Sequence, residues 1–163
     1  MNNKLKYAIL ILLAGLLGLF LYNKYRVAPT IDFKKLPLTD LSGTPVTFES
    51  FKGKKLIVSF GASWCPNCID ELNTLKEIKE NSLSDVEVIV ISDEDLERVK
   101  SFKERKEYPF TFLKMQQPFN SIGVNAIPTT YIVNINLEVK EEKVGYINWE
   151  DPSTLEHLKK LME

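Results

Sequence analysis

The 163-residue sequence predicts an α/β fold, a mixed sheet flanked by helices, with one transmembrane helix ahead of it. Three observations carry this reading. Short runs rich in Val, Ile and Phe, at residues 56–60, 86–91 and 129–135, have the length and composition of buried strands. Between them lie stretches with helical spacing, such as Ile69, Leu72, Leu75 and Ile78. Near the C-terminus two strand patterns follow each other with no helix between them. The sheet therefore mixes parallel and antiparallel neighbours.

Composition narrows the function classes. Lys and Arg total 21 against 22 Asp and Glu, a formal net charge of −1. There is no basic excess to recruit nucleic acid. The one local cluster, Lys103, Arg105 and Lys106, is interleaved with Glu104 and Glu107 and reads as a solvated helix face. No internal repeat and no low-complexity tract is present.

Residues 1–6 read as a short tail. Residues 7–22 are uncharged and dominated by Leu and Ile, with Gly15 and Gly18 inside. As a helix they span about 24 Å against a hydrocarbon core of about 30 Å. Lys6 and Lys24 extend the reach by snorkelling. A cleaved secretory signal is the rival, but residues 22–29 lack the small-x-small cleavage pattern. An uncleaved anchor is the expectation. The flanking charges, Lys4 and Lys6 before it and Lys24, Arg26, Lys34 and Lys35 after it, do not place the domain outside and lean slightly the other way.

Residues 23–35 read as a linker and 36–163 as the folded domain. Within 36–48, Ser42-Gly43 marks a hairpin turn, and Val46 and Phe48 alternate with polar residues. Phe51 and the turn Lys52-Gly53-Lys54 lead into the strand at 56–60. A helix from Pro66 to about residue 80 follows, then the strand at 86–91. Ser92 and Asp95 resemble a capping box for a helix with Leu96, Val99 and Phe102 on one side. A strand at 109–113, a helical turn over 117–122, a closing hairpin of 129–135 and 139–147, and an amphipathic helix over 154–162 complete the chain. Asn134 and Asn136 supply the hairpin turn.

The chemistry gathers at Ser63-Trp64-Cys65-Pro66-Asn67-Cys68, which holds both cysteines. Pro66 suits the first helical position, because a proline lacks the N–H that the first turn leaves unpaired. Cys65 therefore stands at the helix N-terminus, where free N–H groups and the helix dipole favour an anion. Its thiol should ionise below the usual value of about 8.5. Positions i and i+3 share a face, so Cys68 can reach Cys65. Cys65, the more exposed, attacks a disulfide, and Cys68 resolves the mixed disulfide. Glu71, a further step of three, is placed to take the Cys68 proton.

Other readings of the pair are weaker. Tetrahedral zinc needs four ligands, and the chain offers two Cys and His157. A structural disulfide across two residues closes too small a loop to stabilise much. Inert buried thiols fit poorly with placement at a helix start.

The run Phe60-Gly61-Ala62-Ser63-Trp64-Cys65-Pro66-Asn67-Cys68, with Ile127-Pro128-Thr129-Thr130 before the hairpin, resembles the thioredoxin superfamily. The leading hairpin with Leu38-Thr39-Asp40-Leu41-Ser42-Gly43, the extra strand near Phe110 and the anchor narrow the resemblance to the TlpA/ResA-like membrane-tethered thiol–disulfide oxidoreductases. The resemblance implies a thioredoxin-like fold with an N-terminal β-hairpin extension. It makes Cys65 the attacking and Cys68 the resolving cysteine, and Glu71 the acidic residue that tunes them. It makes the Ile127–Pro128 bond cis, with the Ile127 backbone pairing with a bound partner strand. Trp64 and Pro66 then border the substrate. No cofactor beyond the cysteine pair is implied.

The implied activity is reduction of disulfides in exported proteins, such as apocytochrome c cysteines, by a domain on the extracytoplasmic side of a bacterial membrane. Electrons would come from a membrane carrier of the DsbD/CcdA type. A disulfide oxidase or thiol peroxidase on the same fold is an alternative, although Ala62 stands where peroxiredoxins carry Thr or Ser. A copper-assembly protein like the Sco proteins is another, although those space their cysteines by three residues and add a loop histidine. Two departures stand out. Gly61 replaces a tryptophan of many relatives, and Ser59 replaces the buried aspartate of thioredoxin, which raises the expected importance of Glu71.

Overall fold

The computed structural model describes residues 3–162. The first helix, α1, runs Asn3–Arg26. At 24 residues it is about 36 Å long, enough to cross a bilayer once the flanking turns that carry Lys4, Lys6, Lys24 and Arg26 are included. Residues 3–6, expected as a tail, are its first turn, and residues 1–2 lie outside the described part. None of its residues is buried.

Two short strands, β1 (Leu38–Thr39) and β2 (Pro45–Val46), form the leading hairpin, with Gly43 at φ 86° in its turn. Then come β3 (Lys55–Phe60), α2 (Pro66–Ser82), β4 (Val86–Ser92), α3 (Leu96–Lys106), β5 (Thr111–Met115), β6 (Thr129–Val133), β7 (Val139–Val144) and α4 (Pro152–Leu161). The sheet order is β2-β1-β5-β4-β3-β6-β7. β3, β4 and β5 are parallel, and the remaining pairs are antiparallel.

Alternation along β3 divides the core. Ile57 joins Leu72 and Leu75 of α2, Val99 and Phe102 of α3, and Leu158 of α4. The two crossovers, β3 to β4 and β4 to β5, run in one direction and so put α2 and α3 on the same face, and α4 packs there with them. Leu56, Val58 and Phe60 point to the opposite face. There the cover is irregular chain.

That cover corrects the expected linker. Ile31, Phe33 and Leu36 are buried, and Ala28 packs against the same cluster. Phe33 stacks on Phe48 with centroids 4.5 Å apart and meets Tyr131 edge-on at 5.4 Å. Burial of each such side chain contributes roughly 1.5–3 kcal/mol. The stretch from residue 28 onward therefore belongs to the fold.

Other local expectations shift for identifiable reasons. The capping box at Ser92 does not form: Asp95 is the N-cap of α3 without a side-chain bond, and Ser92 is buried at the end of β4. In the closing hairpin the positive φ of 64° falls on Leu137, because Asn134 spends its side-chain oxygen accepting from the N–H groups of Asn136 and Glu138. The strand expected at 109–113 begins two residues later.

Candidate active site

The site forms where β3 ends and α2 begins. Gly61 N donates to Ile91 O at 3.0 Å, and Cys65 N donates to Ala62 O at 3.1 Å, so the loop is tightly turned. Pro66 occupies the first turn of α2, and Cys65 is its N-cap. Cys65 and Cys68 are joined in a disulfide with Cα atoms 5.3 Å apart. The Cys65 sulfur accepts from Cys68 N at 3.3 Å. A thiolate at the same place would receive that donor together with the helix dipole, which favours ionisation of Cys65.

The expected exposure of Cys65 is corrected. It is 5 % accessible and Cys68 3 %, so the pair is covered when joined. The cover comes from Ala62 and Ile127, which pack with both cysteines. The Cys65 sulfur lies 3.8 Å from the Ile127 carbonyl oxygen, and the Ile127–Pro128 bond is cis. Trp64 is 66 % exposed, so it is not a core aromatic. Pro66 and Asn67 are exposed beside it. A groove runs from Trp64 to Phe119 and Ile127.

Glu71 is fully buried one helical turn beyond Cys68. Its partners come from three places in the sequence. Thr130 Oγ1 donates to Oε1 at 2.9 Å, Ser59 Oγ to the same atom at 3.4 Å, and Ile147 N to Oε2 at 3.0 Å. Ser59 and Thr130 are register partners on β3 and β6, and so face α2 together. Burial pushes the carboxyl up from 4.5 to about 7, against the lowering effect of those hydrogen bonds. Such a group exchanges a proton near neutral pH. Trp149, also fully buried, brings its indole N–H towards the Glu71 carboxylate without reaching hydrogen-bond geometry. That N–H has no hydrogen-bond partner among the described residues.

Two residues of the site were invisible to sequence reasoning. Glu94 accepts from Ser63 N at 2.6 Å and Ser63 Oγ at 2.8 Å, pinning the loop that presents Trp64. It was hidden inside the acidic run that suggested a helix cap. Trp149 carried no signal, because its approach to Glu71 depends on the bend after β7. His157, the only histidine, hydrogen-bonds Glu141 on an exposed face.

A cysteine pair of this spacing, at the head of the helix that follows a central strand and against a cis-proline loop, defines a thioredoxin-like thiol–disulfide oxidoreductase. The chain belongs to the Redoxin family, whose model matches residues 26–159. It is 27 % identical over 156 residues to the thiol–disulfide oxidoreductase ResA of Geobacillus kaustophilus (strain HTA426), covering 90 % of each protein. Among solved structures it resembles a thiol:disulfide interchange protein of the thioredoxin family from Chlorobium tepidum TLS, at 25 % identity and TM-score 0.62, over 84 % of this chain and 99 % of that one. A thioredoxin-like protein from Porphyromonas gingivalis, at 22 % identity and TM-score 0.66, covers 80 % of this chain and 93 % of its own.

Proposed function

We propose that the protein is a membrane-tethered reductase of disulfides in exported proteins, with its domain on the extracytoplasmic side. The observation that carries this reading is the Cys65–Cys68 disulfide set against a buried carboxyl with a pKa of about 7. In the reduced form, the Cys65 thiolate attacks one sulfur of a client disulfide and displaces the other as a thiolate, which takes up a proton. Cys68 gives its proton to Glu71. The Cys68 thiolate then attacks Cys65, forms the intramolecular disulfide and releases the second client thiol. Two electrons pass to the client, and no cofactor takes part.

Direction follows from electrostatics. A carboxylate beside the pair opposes thiolate formation, which makes the dithiol easier to oxidise and the protein a reductant. Trp64, Pro66, Ile127 and Pro128 border the client strand, with the Ile127 backbone as its pairing edge. Apocytochrome c cysteines are clients of suitable chemistry, and a membrane dithiol carrier of the DsbD/CcdA type would return the electrons. The exposed apolar α1 supports the tether.

Insulin-disulfide reduction by the full chain in detergent tests the chemistry. Activity should vanish in Cys65→Ser, and Cys68→Ser should accumulate a mixed disulfide. Full activity without Cys65 removes it from the mechanism. Labelling of whole cells with a membrane-impermeant thiol reagent reads the side: the reduced domain should be labelled, and protection until lysis would put it inside.

A further inference from the structure

Among the described residues, the indole N–H of Trp149 is the one buried side-chain polar atom that makes no hydrogen bond. The residue is fully enclosed. A donor buried in this way gives up its bonds to water and gains none in return. A phenylalanine would fill most of the same space without that cost. The bend after β7, which carries Trp149, is firmly held. Gly145, at φ 94°, donates its N–H to Pro128 O at 2.7 Å, and Trp149 N donates to Ile147 O at 3.1 Å. The ring shares a core cluster with Leu72 of α2 and Leu158 of α4. Packed there, it has no path to water for its N–H.

The group nearest that N–H in chemistry and in place is the Glu71 carboxyl. Its two oxygens are unequally served. Oε1 accepts from Thr130 Oγ1 and Ser59 Oγ, whereas Oε2 accepts only from Ile147 N, on the same bend as Trp149. A carboxylate oxygen can take two donors, so Oε2 has a place open. The indole N–H favours the charged form of Glu71, as the three made bonds do, while burial opposes it. No charged side chain is among these influences. The titratable groups on the surrounding elements are engaged elsewhere. Lys55 of β3 pairs with Asp85, and Tyr131 of β6 donates to Pro29 O. Asp70 of α2 and Glu150 of the bend are exposed. Asp151 caps α4 through Thr154 N, and His157 meets Glu141 on an exposed face.

We propose that Trp149 is a positioning residue of the resolving step: its indole N–H closes onto the Glu71 carboxylate when that group is charged, and so keeps it ready for the Cys68 proton. This rests on the reading of Glu71 as proton acceptor in the reduction of a client disulfide. A carboxylate takes a much stronger hydrogen bond than a neutral carboxyl. The same N–H is therefore idle beside neutral Glu71 and bonded beside charged Glu71. In the resolving step the Cys68 proton passes to the Glu71 carboxylate. The Cys68 thiolate attacks the Cys65 sulfur, the bond from Cys65 to the client breaks, and the client sulfur leaves with the electron pair and takes a proton from water. The indole bond opens as Glu71 gains its proton and re-forms when that proton is lost. Without the N–H, Glu71 holds its proton to higher pH and is not free to accept another near neutrality.

With only two tryptophans in the chain, the test can be read directly. The full chain, oxidised, in detergent and labelled with nitrogen-15 tryptophan, gives two indole N–H signals, which Trp64→Phe assigns. Neither cysteine titrates in this form. From pH 5 to 9 the Trp149 indole proton should move downfield with a midpoint near 7, and Glu71→Gln should abolish the movement. A Trp149 signal that stays still, or that moves as far in Glu71→Gln, overturns the proposal. This reading leaves Trp149 itself unaltered, so it stands even if Trp149→Phe fails to fold. Where Trp149→Phe folds, the mixed disulfide with insulin, trapped by acid after rapid mixing, should decay roughly ten-fold more slowly than in the parent at pH 6.5 and at nearly the parent rate at pH 9, as a shift of about one pH unit in Glu71 requires. Its formation by Cys65 should be unchanged. An equal slowing at every pH would mark a packing role alone and overturn the proposal. Insulin reduction that survives Cys65→Ser would instead overturn the reading of the reaction, whatever the indole signal does.

Discussion

Thr130 hands its hydroxyl hydrogen to Glu71 across 2.9 Å, tying the strand that follows the cis-proline to the helix that carries both cysteines. The carboxyl so held retains its proton to about pH 7 in the folded protein but only to about 4.5 when unfolded. Between those values the folded state binds the extra proton, so raising the pH drains stability. The stabilising contribution is full below about 4.5 and gone by about 7, with a magnitude on the order of 3 kcal/mol. Urea unfolding of the oxidised domain from pH 5 to 8 should therefore show a falling stability that Glu71→Gln flattens. Parallel curves for the two proteins would remove Glu71 as the cause.

The same substitution acts on the thiols. Glu71 in its charged form raises the energy of a nearby thiolate. Glu71→Gln should lower the apparent pKa of the cysteine pair, read by the pH dependence of iodoacetamide alkylation. An unchanged titration would refute the view that the carboxylate disfavours the thiolate.

Glu94 fixes the other side of the site. Its side chain is 8 % exposed, and it holds Ser63 through two short bonds, with Arg98 at 3.7 Å as its cation. Hydrogen bonds to a charged group contribute about 1.5–3 kcal/mol. Glu94→Ala should cost about that much in urea unfolding and also raise the KM for insulin, because the loop under Trp64 loosens. Glu94→Gln keeps one acceptor and should fall between. A KM unmoved by Glu94→Ala would separate the loop anchor from substrate binding.

What the sequence revealed and what it concealed follow from the range of each interaction. Cys65, Pro66, Cys68 and the face of α2 were legible, because helix period and capping act within a few residues. The partners of Glu71 were not, since Ser59, Thr130 and Ile147 meet it only once the register of β3 and β6 is set. Ser59 registered in the sequence only as a missing aspartate. The covering role of Ile31 and Phe33 was concealed because two apolar residues among Thr, Asp and Lys make no period. The burial of Cys65 escaped notice because its cover, Ile127, lies 62 residues away.

That concealed cover yields a stability test. A true linker tolerates truncation of its side chains, whereas Phe33 is 5 % exposed among Phe48, Phe60 and Tyr131. Loss of a buried Phe side chain costs about 3–5 kcal/mol. Phe33→Ala should lower the thermal midpoint by many degrees, while Val27→Ala, at an exposed position just past α1, should leave it in place. Equal midpoints for the two variants would restore the linker.

Trp64 offers the sharpest separation of binding from chemistry. Its ring is largely in solvent, so Trp64→Ala removes few packing contacts and should change stability by less than about 0.5 kcal/mol. It flanks Cys65 without sharing a hydrogen bond with either sulfur, so attack by a small thiol on the disulfide should proceed at nearly the parent rate. A folded protein client, in contrast, must lay its strand along the groove from Trp64 to Ile127. Loss of a large aromatic contact there should raise KM for such a client about ten-fold with little change in kcat, the signature of binding lost equally from ground and transition states. Dithiothreitol exchange serves as the small-thiol reference. If both reactions slow together, Trp64 shapes the reactivity of Cys65, and the groove is not where the client rests.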